Sequence, residues 1–248
     1  MTSQTPSPRV VEAMDTLNQL GNPVIAAHSQ RYFKTGPGEY GEGDTFIGIR
    51  VPVTRTVVRQ FKDLSTPEIV ELAQSPIHEH RLCAVLILTG QFKRAKTVQQ
   101  RAELFEILLM LVSSGRVNNW DLVDSSAPYI GAYLLDMPEY WGLLLGLAQS
   151  EDLWERRTAV MLTAALIRAG IYQPTLELCE LLMSDTHDLI HKATGWMLRV
   201  VGDSDREVLR EFLDTHAATM PRTMLRYAIE HLDKPERDHY LKQKSLLA

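Results

Sequence analysis

Apolar residues recur at three- and four-residue spacing along most of the chain from about residue 66 onward. The spacing is clearest over 69–73, 82–88, 104–112 and 158–167. Because an α-helix turns once in about 3.6 residues, this spacing places apolar side chains on one helix face. No stretch shows the sustained apolar and polar alternation of a half-buried β-strand. The pattern therefore predicts an all-α fold.

Proline, glycine and capping residues indicate where these helices begin and end. Ser65-Thr66-Pro67-Glu68 has the form of a capped helix start, and further helices are predicted from about Pro8 to Leu20, from about Pro23 to Phe33, and from near Pro52. The segment TGPGEYGEGD at 35–44 is predicted to be a loop. Four glycines lie just past periodic segments and are predicted to end helices: Gly90, Gly115, Gly170 and Gly202.

Several predicted helices resemble one another, and they recur at intervals of about 30 to 40 residues, as in HEHRLCAVLIL, LWERRTAVMLTAAL and LIHKATGWMLRVV. Helix pairs with this period are typical of an α-solenoid, in which each pair buries one face against the next. We predict a single domain of HEAT-like (armadillo-type) repeats over 1–248. It would comprise N-terminal helices and a Gly-rich loop (1–50), repeats lining one concave face (51–235) and a C-terminal tail (236–248).

Composition limits the possible classes of protein. The chain is 45% hydrophobic and 23% charged, as in an ordinary soluble globular protein. No apolar run approaches the roughly 18 residues of a membrane-spanning helix, and the first ten residues have no apolar signal core, so we expect a cytoplasmic protein. Cys83 and Cys179 stand alone in apolar stretches and are predicted to be small buried hydrophobes.

The formal net charge of −5 argues against a protein covered in cations for binding nucleic acid. Any DNA site must therefore be a local basic stripe. The same acidic charge is the best argument for a different reading, in which the repeats form a scaffold for protein partners.

The segment VNNWDLVD at 117–124 is the best candidate for chemistry. On a helix, Trp120 and Asp124 are four residues apart and share one face, which pairs an electron-rich ring with a carboxylate. That combination suits a cation. The alternative is that Trp120 is a core aromatic and Asp124 an exposed or capping acid.

Cations and a second tryptophan recur at later helices. Arg156 and Arg157 begin one helix, where a guanidinium can bind phosphate. Lys192 and Arg199 flank Trp196 in the next repeat, and Arg222 lies near the end of the series. Acids and bases are nearly balanced over this region, so a DNA-binding face depends on how these residues are phased along their helices.

Other constellations are weaker. His187 and His191 are four residues apart, but the sequence offers no HExxH pattern and no evident third ligand, so we predict no metal site and no cofactor. The Gly-rich loop lacks the Gly-Lys-Ser/Thr sequence with which a phosphate-binding loop ends. No serine or cysteine lies in a recognisable nucleophile setting.

Taken together, RYFKTGPGEYGEGD and FIGIRVP at 31–52, NNWDLVD, LWERRTAV and IHKATGWMLR resemble the AlkD-like DNA alkylation repair enzymes, bacterial DNA glycosylases built from HEAT-like repeats. The likeness covers about 25–235. It implies excision of cationic alkylated purines, 3-methyladenine and 7-methylguanine, from double-stranded DNA without flipping the base. We also expect a monomer that needs no cofactor. The absence of a clear catalytic lysine suggests a monofunctional glycosylase, although Lys192 is near the proposed site.

The resemblance also implies site residues. Asp124, Trp120 and Trp196 would act at the damaged nucleotide, and Arg157 would hold the adjacent phosphate. Tyr32 matches a DNA-facing aromatic position. Arg50 departs from the family pattern, in which Gln occupies this position. The basic residues of the proposed DNA-binding face are Arg50, Arg156, Arg157, Lys192, Arg199 and Arg222. A non-catalytic module that binds distorted or branched DNA is the main alternative.

Overall fold

The computed structural model describes residues 6–245, and the regular secondary structure of this range is helical. The α-helices are α1 (Pro8–Gln19), α2 (Pro23–Tyr32), α3 (Val51–Gln60), α4 (Thr66–Ala73), α5 (His78–Arg94), α6 (Val98–Ser113), α7 (Trp120–Ile130), α8 (Tyr140–Ala148), α9 (Leu153–Leu162), α10 (Ala164–Arg168), α11 (Gln173–Leu181), α12 (Asp188–Ser204), α13 (Arg206–His216), α14 (Arg222–Ala228) and α15 (Lys234–Ser245). Two short 3₁₀ helices cover Gly131–Asp136 and Leu182–Ser184. The all-α prediction is confirmed.

The predicted helix starts are also confirmed. Each of the first four helices has proline in its first turn, where the missing N–H would have no partner within the helix. Asn22 accepts hydrogen bonds from the backbone N–H groups of Val24 and Ile25 at the start of α2. At α4, the Glu68 carboxylate accepts from the backbone N–H of Ser65 at 2.8 Å, as in a capping box.

Two of the four glycine predictions are wrong. Gly115 and Gly170 follow helices with positive φ values of 69° and 76°, as expected at a helix end. Gly90 and Gly202 lie inside α5 and α12 instead. At Gly202 the reason is packing: an added Cβ would lie 2.3 Å from Leu209 Cδ2, so glycine permits a close approach of α13. At Gly90, the flanking buried side chains of Thr89 and Phe92 keep the helix packed through the glycine.

The chain divides into two compact units, Met1–Ile130 and Gly131–Ala248. In the first unit α5 is central: it packs against α3, α4, α6 and α7, and its residues from His78 to Thr89 are buried. Cys83 lies in this core, and the prediction of a small buried hydrophobe is confirmed for it. The Gly-rich segment 35–44 is irregular, as predicted.

In the second unit α12 packs against α9, α10, α11, α13 and α14. Its contact with α14 depends on Gly195, where an added Cβ would lie 2.5 Å from the backbone oxygen of Met224. Cys179 is fully buried in the core of this unit, again as predicted. The predicted C-terminal tail, 236–248, begins inside α15.

A single repeat domain over the whole chain, with one concave face, stays a prediction. Two predictions fall partly outside the described range. The prediction that the first ten residues hold no signal sequence includes residues 1–5, and the predicted tail includes residues 246–248. Within 6–245, no helix is both long enough and apolar enough to cross a membrane.

Candidate functional site

The tryptophan and the carboxylate singled out in the sequence lie on one helix of the first unit. Trp120 is the first residue of α7, and its backbone N–H donates to Asn119 Oδ1 at 2.9 Å. Asp124 is one turn further on, and both side chains are half-buried. Their predicted placement on one helix is therefore confirmed, and neither side chain is sealed in the core.

Aromatic rings hold the Trp120 indole. Phe33 stacks on it with ring centroids 5.2 Å apart and planes inclined by 20°. Tyr32 meets it edge to face at 6.0 Å, and Tyr32 is itself 59% exposed. Phe33 stacks in turn on Phe46, at 5.0 Å. Offset stacking and edge-to-face contacts are the favoured geometries for such rings, so the indole has a defined orientation.

A buried ionic network lies beneath these rings. His78 Nδ1 lies 3.1 Å from Asp44 Oδ2, and His78 Nε2 lies 2.9 Å from Asp121 Oδ2. Arg81 donates to the other oxygen of Asp44 at 2.5 Å, and Asn118 donates to that same oxygen at 3.0 Å. Burial alone would raise the pKa of Asp44, but the bond to His78 and the charge of Arg81 outweigh it and hold that pKa below its usual value.

The sequence pattern did not predict this network. Asp44 was predicted only as part of a loop, and no chemical role was predicted for His78 or Arg81. The bonded residues are 34 to 74 positions apart along the chain, a separation that carries no pattern. The HEHR segment at 78–81 offered one signal, because four polar residues at the start of an otherwise apolar helix need partners if they are buried.

Arg50 and the segment before it are held by α5. The buried Glu79 carboxylate accepts hydrogen bonds from the backbone N–H groups of Ile47, Gly48 and Ile49, at 3.1, 2.7 and 3.2 Å. Arg50 follows directly as the N-cap residue of α3, and its side chain is exposed. The structure thus presents Arg50 at the surface of the first unit, at the end of a fixed backbone segment.

In the second unit, two predicted DNA-binding arginines contact their own unit. Arg157 is only 4% exposed, and its Nη1 donates to the Leu189 backbone oxygen at 2.5 Å. Arg156 Nε donates to Asp185 Oδ2 at 2.7 Å, and its Nη1 donates to the backbone oxygens of Ser150 and Glu151 at 2.9 Å each. These donors connect the start of α9 to its neighbouring segments.

The other predicted residues of the second unit are more accessible. Trp196 on α12 is half-buried. Lys192 pairs with Asp188 one turn earlier at 2.7 Å, and Arg199 forms an ion pair with Glu230. Arg222 begins α14; it is exposed and donates to the Leu241 backbone oxygen at 3.1 Å.

The two histidines considered for metal binding have other contacts. His187 caps α12 by accepting from the Leu189 backbone N–H, and His191 Nε2 contacts the Asp185 backbone oxygen. Among residues 6–245, no group of three or more His, Cys, Asp or Glu side chains is placed to hold a metal ion.

Helices packed in series, in both units, define an all-α protein of the helical-repeat type. The model of the family described as DNA alkylation repair enzyme matches residues 13–232. Because this match covers most of the 248 residues, the chain belongs to that family.

A solved structure, described as a predicted DNA alkylation repair enzyme from Enterococcus faecalis, has a similar fold. The TM-score is 0.68 at 18% sequence identity, and the likeness covers 86% of this chain and 97% of that one. A search among curated proteins gives no match. The repeat fold and the resemblance found in the sequence are confirmed, and the family supports a role in the repair of alkylated DNA.

Proposed function

We propose that the protein is a monofunctional DNA glycosylase that hydrolyses the N-glycosidic bond of cationic alkylated purines, 3-methyladenine and 7-methylguanine, in duplex DNA, without flipping the base. The observation that carries the proposal is the pair formed by Trp120 and Asp124, one turn apart on α7 and both half-buried. Membership of the DNA alkylation repair family supports the substrate class.

The chemistry of the substrate explains what this site must do. An N3- or N7-alkylated purine already carries positive charge, so it leaves as a neutral base without a general acid. Positive character then develops on the sugar. A carboxylate can stabilise that charge and orient the attacking water, and the face of an indole attracts a cation. We assign the first role to Asp124 and the second to Trp120.

The surroundings of Trp120 suit this role. A stacked ring and an edge-to-face ring orient the indole, so little reorganisation is needed when charge develops at the sugar. Tyr32, which is exposed beside it, is assigned to contact with DNA, as is the exposed Arg50.

The roles in the second unit rest on the family resemblance. We assign Trp196 to the damaged nucleotide, Arg157 to an adjacent phosphate, and Arg156, Lys192, Arg199 and Arg222 to the DNA backbone. Since Arg157 is buried and bonded to the Leu189 backbone, its role is best tested with Arg157→Lys, which keeps the charge but loses the planar fork of donors. A phosphate clamp predicts weaker binding to duplex DNA by this variant while it stays folded.

The deciding experiment is to incubate the purified protein with methylated duplex DNA and to separate the released bases by chromatography. We expect free 3-methyladenine or 7-methylguanine in amounts that grow with enzyme and time, above the release from DNA alone. If the folded protein binds the duplex but releases neither base, the non-catalytic DNA-binding alternative replaces the proposal. If the folded protein binds no duplex at any salt concentration, the protein-scaffold alternative replaces the proposal.

A further inference from the structure

His78 is a buried histidine that contacts two carboxylates from distant parts of the first unit. It begins α5 and is 1% exposed. One ring nitrogen contacts Asp44 at the end of the Gly-rich loop, and the other contacts Asp121 in the first turn of α7. An ionised carboxylate can only accept hydrogen bonds, so both ring nitrogens must donate. A ring that donates from both nitrogens is an imidazolium.

The charges around this ring are balanced. Asp44 faces it from the loop and Asp121 from α7, while Arg81, on α5 itself, neutralises the far oxygen of Asp44. Glu79, the next residue of α5, is directed to the backbone N–H groups of 47–49. Two cations therefore meet two carboxylates in the interior, an arrangement in which losing one charge leaves another uncompensated.

The imidazolium also supports the ring stack. Its centroid is 4.4 Å from that of Phe46, with planes inclined by 24°, and 5.2 Å from that of Phe33. Phe33 is the ring that stacks on Trp120. His78 is therefore linked to the Trp120 indole in two ways. It contacts Phe33, which stacks on the indole, and it contacts Asp121, the residue next to Trp120 in the chain.

We propose that His78 is a positioning residue: its imidazolium joins the Gly-rich loop to the first turn of α7 and thereby fixes the Trp120 indole and, one turn on, the Asp124 carboxylate. His78 makes no contact with DNA in this role. Its effect on base excision rests on the proposed function, whereas its effect on the position of Trp120 does not.

The titration of His78 gives the proposal a measurable signature. Burial acts to lower the pKa of His78, but the charges and hydrogen bonds of Asp121 and Asp44 outweigh it and raise that pKa to about 9. The ring is thus an imidazolium at neutral pH. Above pH 9 it loses a proton, and one of its two carboxylate contacts loses its hydrogen bond.

His80 is a matched control. It lies two residues further along the same helix and is only 2% exposed. It also has two hydrogen-bonding partners, Ser75 Oγ at 2.9 Å and Asn18 Oδ1 at 3.1 Å. Neither partner is a carboxylate, and burial together with the nearby Arg81 lowers the pKa of His80 to about 4. His80 is therefore neutral at pH 7, and it joins α5 to a different part of the unit.

The first test compares His78→Gln with His80→Gln in single-turnover excision of 7-methylguanine, with affinity measured on a duplex carrying an abasic-site analogue. A misplaced catalytic group can cost up to about 100-fold in rate, so we expect His78→Gln to lose about 10- to 100-fold in the excision constant, with a smaller change in affinity. His80→Gln should keep the wild-type constant. Equal losses of the excision constant in both variants would show that His78 has only a general structural role.

The second test needs no activity and uses the wild-type chain. With ¹⁵N-labelled histidine and tryptophan, NMR spectra from pH 7 to 10 report both ring nitrogens of His78 and the indole N–H of Trp120, the latter assigned with Trp120→Phe. We expect two protonated ring nitrogens at pH 7, and an indole signal that shifts with the same midpoint as His78. A neutral His78 at pH 7, or an indole signal that stays fixed while His78 titrates, overturns the proposal.

The two tests separate this proposal from the proposed function. If the wild-type protein releases no alkylated base, the glycosylase assignment fails, and the NMR titration still decides whether His78 positions Trp120. If base release occurs and the indole signal ignores His78, the glycosylase assignment stands and the positioning role fails.

Discussion

Asp121 and Asp124 are three residues apart on α7, and their surroundings differ. Asp121 is held by the His78 imidazolium at 2.9 Å, beneath the aromatic rings. Asp124 is half-buried and lies one turn from the Trp120 indole. The proposed role at the sugar is assigned to Asp124 because of its position one turn from Trp120, whereas Asp121 serves to anchor α7 to His78.

We expect the Asp124→Asn variant to fold normally and to bind duplex DNA, but to lose most of its release of alkylated bases. Removing one preorganised electrostatic contact to a transition state typically costs about 10² to 10³ in rate. The measurement is single-turnover release of 7-methylguanine. Glu106→Gln, which neutralises an exposed carboxylate on α6, is the control and should behave as wild type. Undiminished release by Asp124→Asn would remove Asp124 from the mechanism.

The sequence predicted the placement of Trp120 and Asp124 but not their tertiary contacts. The spacing of Trp120 and Asp124 was enough to place both on one helix, because helical periodicity is local. Their supporting contacts could not be predicted, because Phe33 meets Trp120, and His78 meets Asp44 and Asp121, only through the tertiary fold. Nor could the sequence show that Arg157 is buried, since a long cation at a helix start is most often exposed.

Among the elements, the start of α5 organises the first unit. Its four polar residues are buried and bind different segments: His78 binds Asp44 and Asp121, Glu79 the backbone of 47–49, His80 Asn18 and Ser75, and Arg81 Asp44, Asn118 and the Ser75 backbone. The existence of α5 was predictable from its apolar run. The burial of its first turn was not, because polar residues at a helix start usually face solvent.

We expect Glu79→Ala to loosen the segment that leads into α3. The substitution leaves three buried or half-buried backbone N–H groups without their acceptor, at a cost of about 1 to 3 kcal/mol for each donor that water cannot reach. The measurements are the free energy of unfolding in urea and the hydrogen exchange of residues 47–49. Glu79→Gln, which keeps an acceptor oxygen, should fall between Glu79→Ala and wild type. Unchanged exchange in Glu79→Ala would show that Glu79 does not hold this segment.

The molecule as a whole has a net charge of −5, so binding of DNA depends on local groups of cations. Several predicted DNA-binding cations already have acidic partners within their own unit: Arg156 with Asp185, Lys192 with Asp188, and Arg199 with Glu230. For these residues, a phosphate contact competes with an existing ion pair, so the net gain is small. If the proposed function holds, exposed cations such as Arg50 are expected to contribute more of the affinity for DNA. Sequence spacing identifies the cations but does not show which of them are paired.

We therefore expect affinity for duplex DNA to fall steeply as salt rises, and Arg50 to contribute a full phosphate contact to that dependence. Each phosphate contact on B-DNA adds about 0.9 to the slope of log affinity against log salt, so Arg50→Ala should reduce the slope by about 1. The measurement is fluorescence anisotropy of a labelled duplex over a range of salt concentrations. Lys96→Ala removes another exposed cation, between α5 and α6, and should leave the slope unchanged. Equal slopes for wild type and Arg50→Ala would exclude a phosphate contact at Arg50, and an affinity independent of salt would favour a protein scaffold over a DNA-binding enzyme.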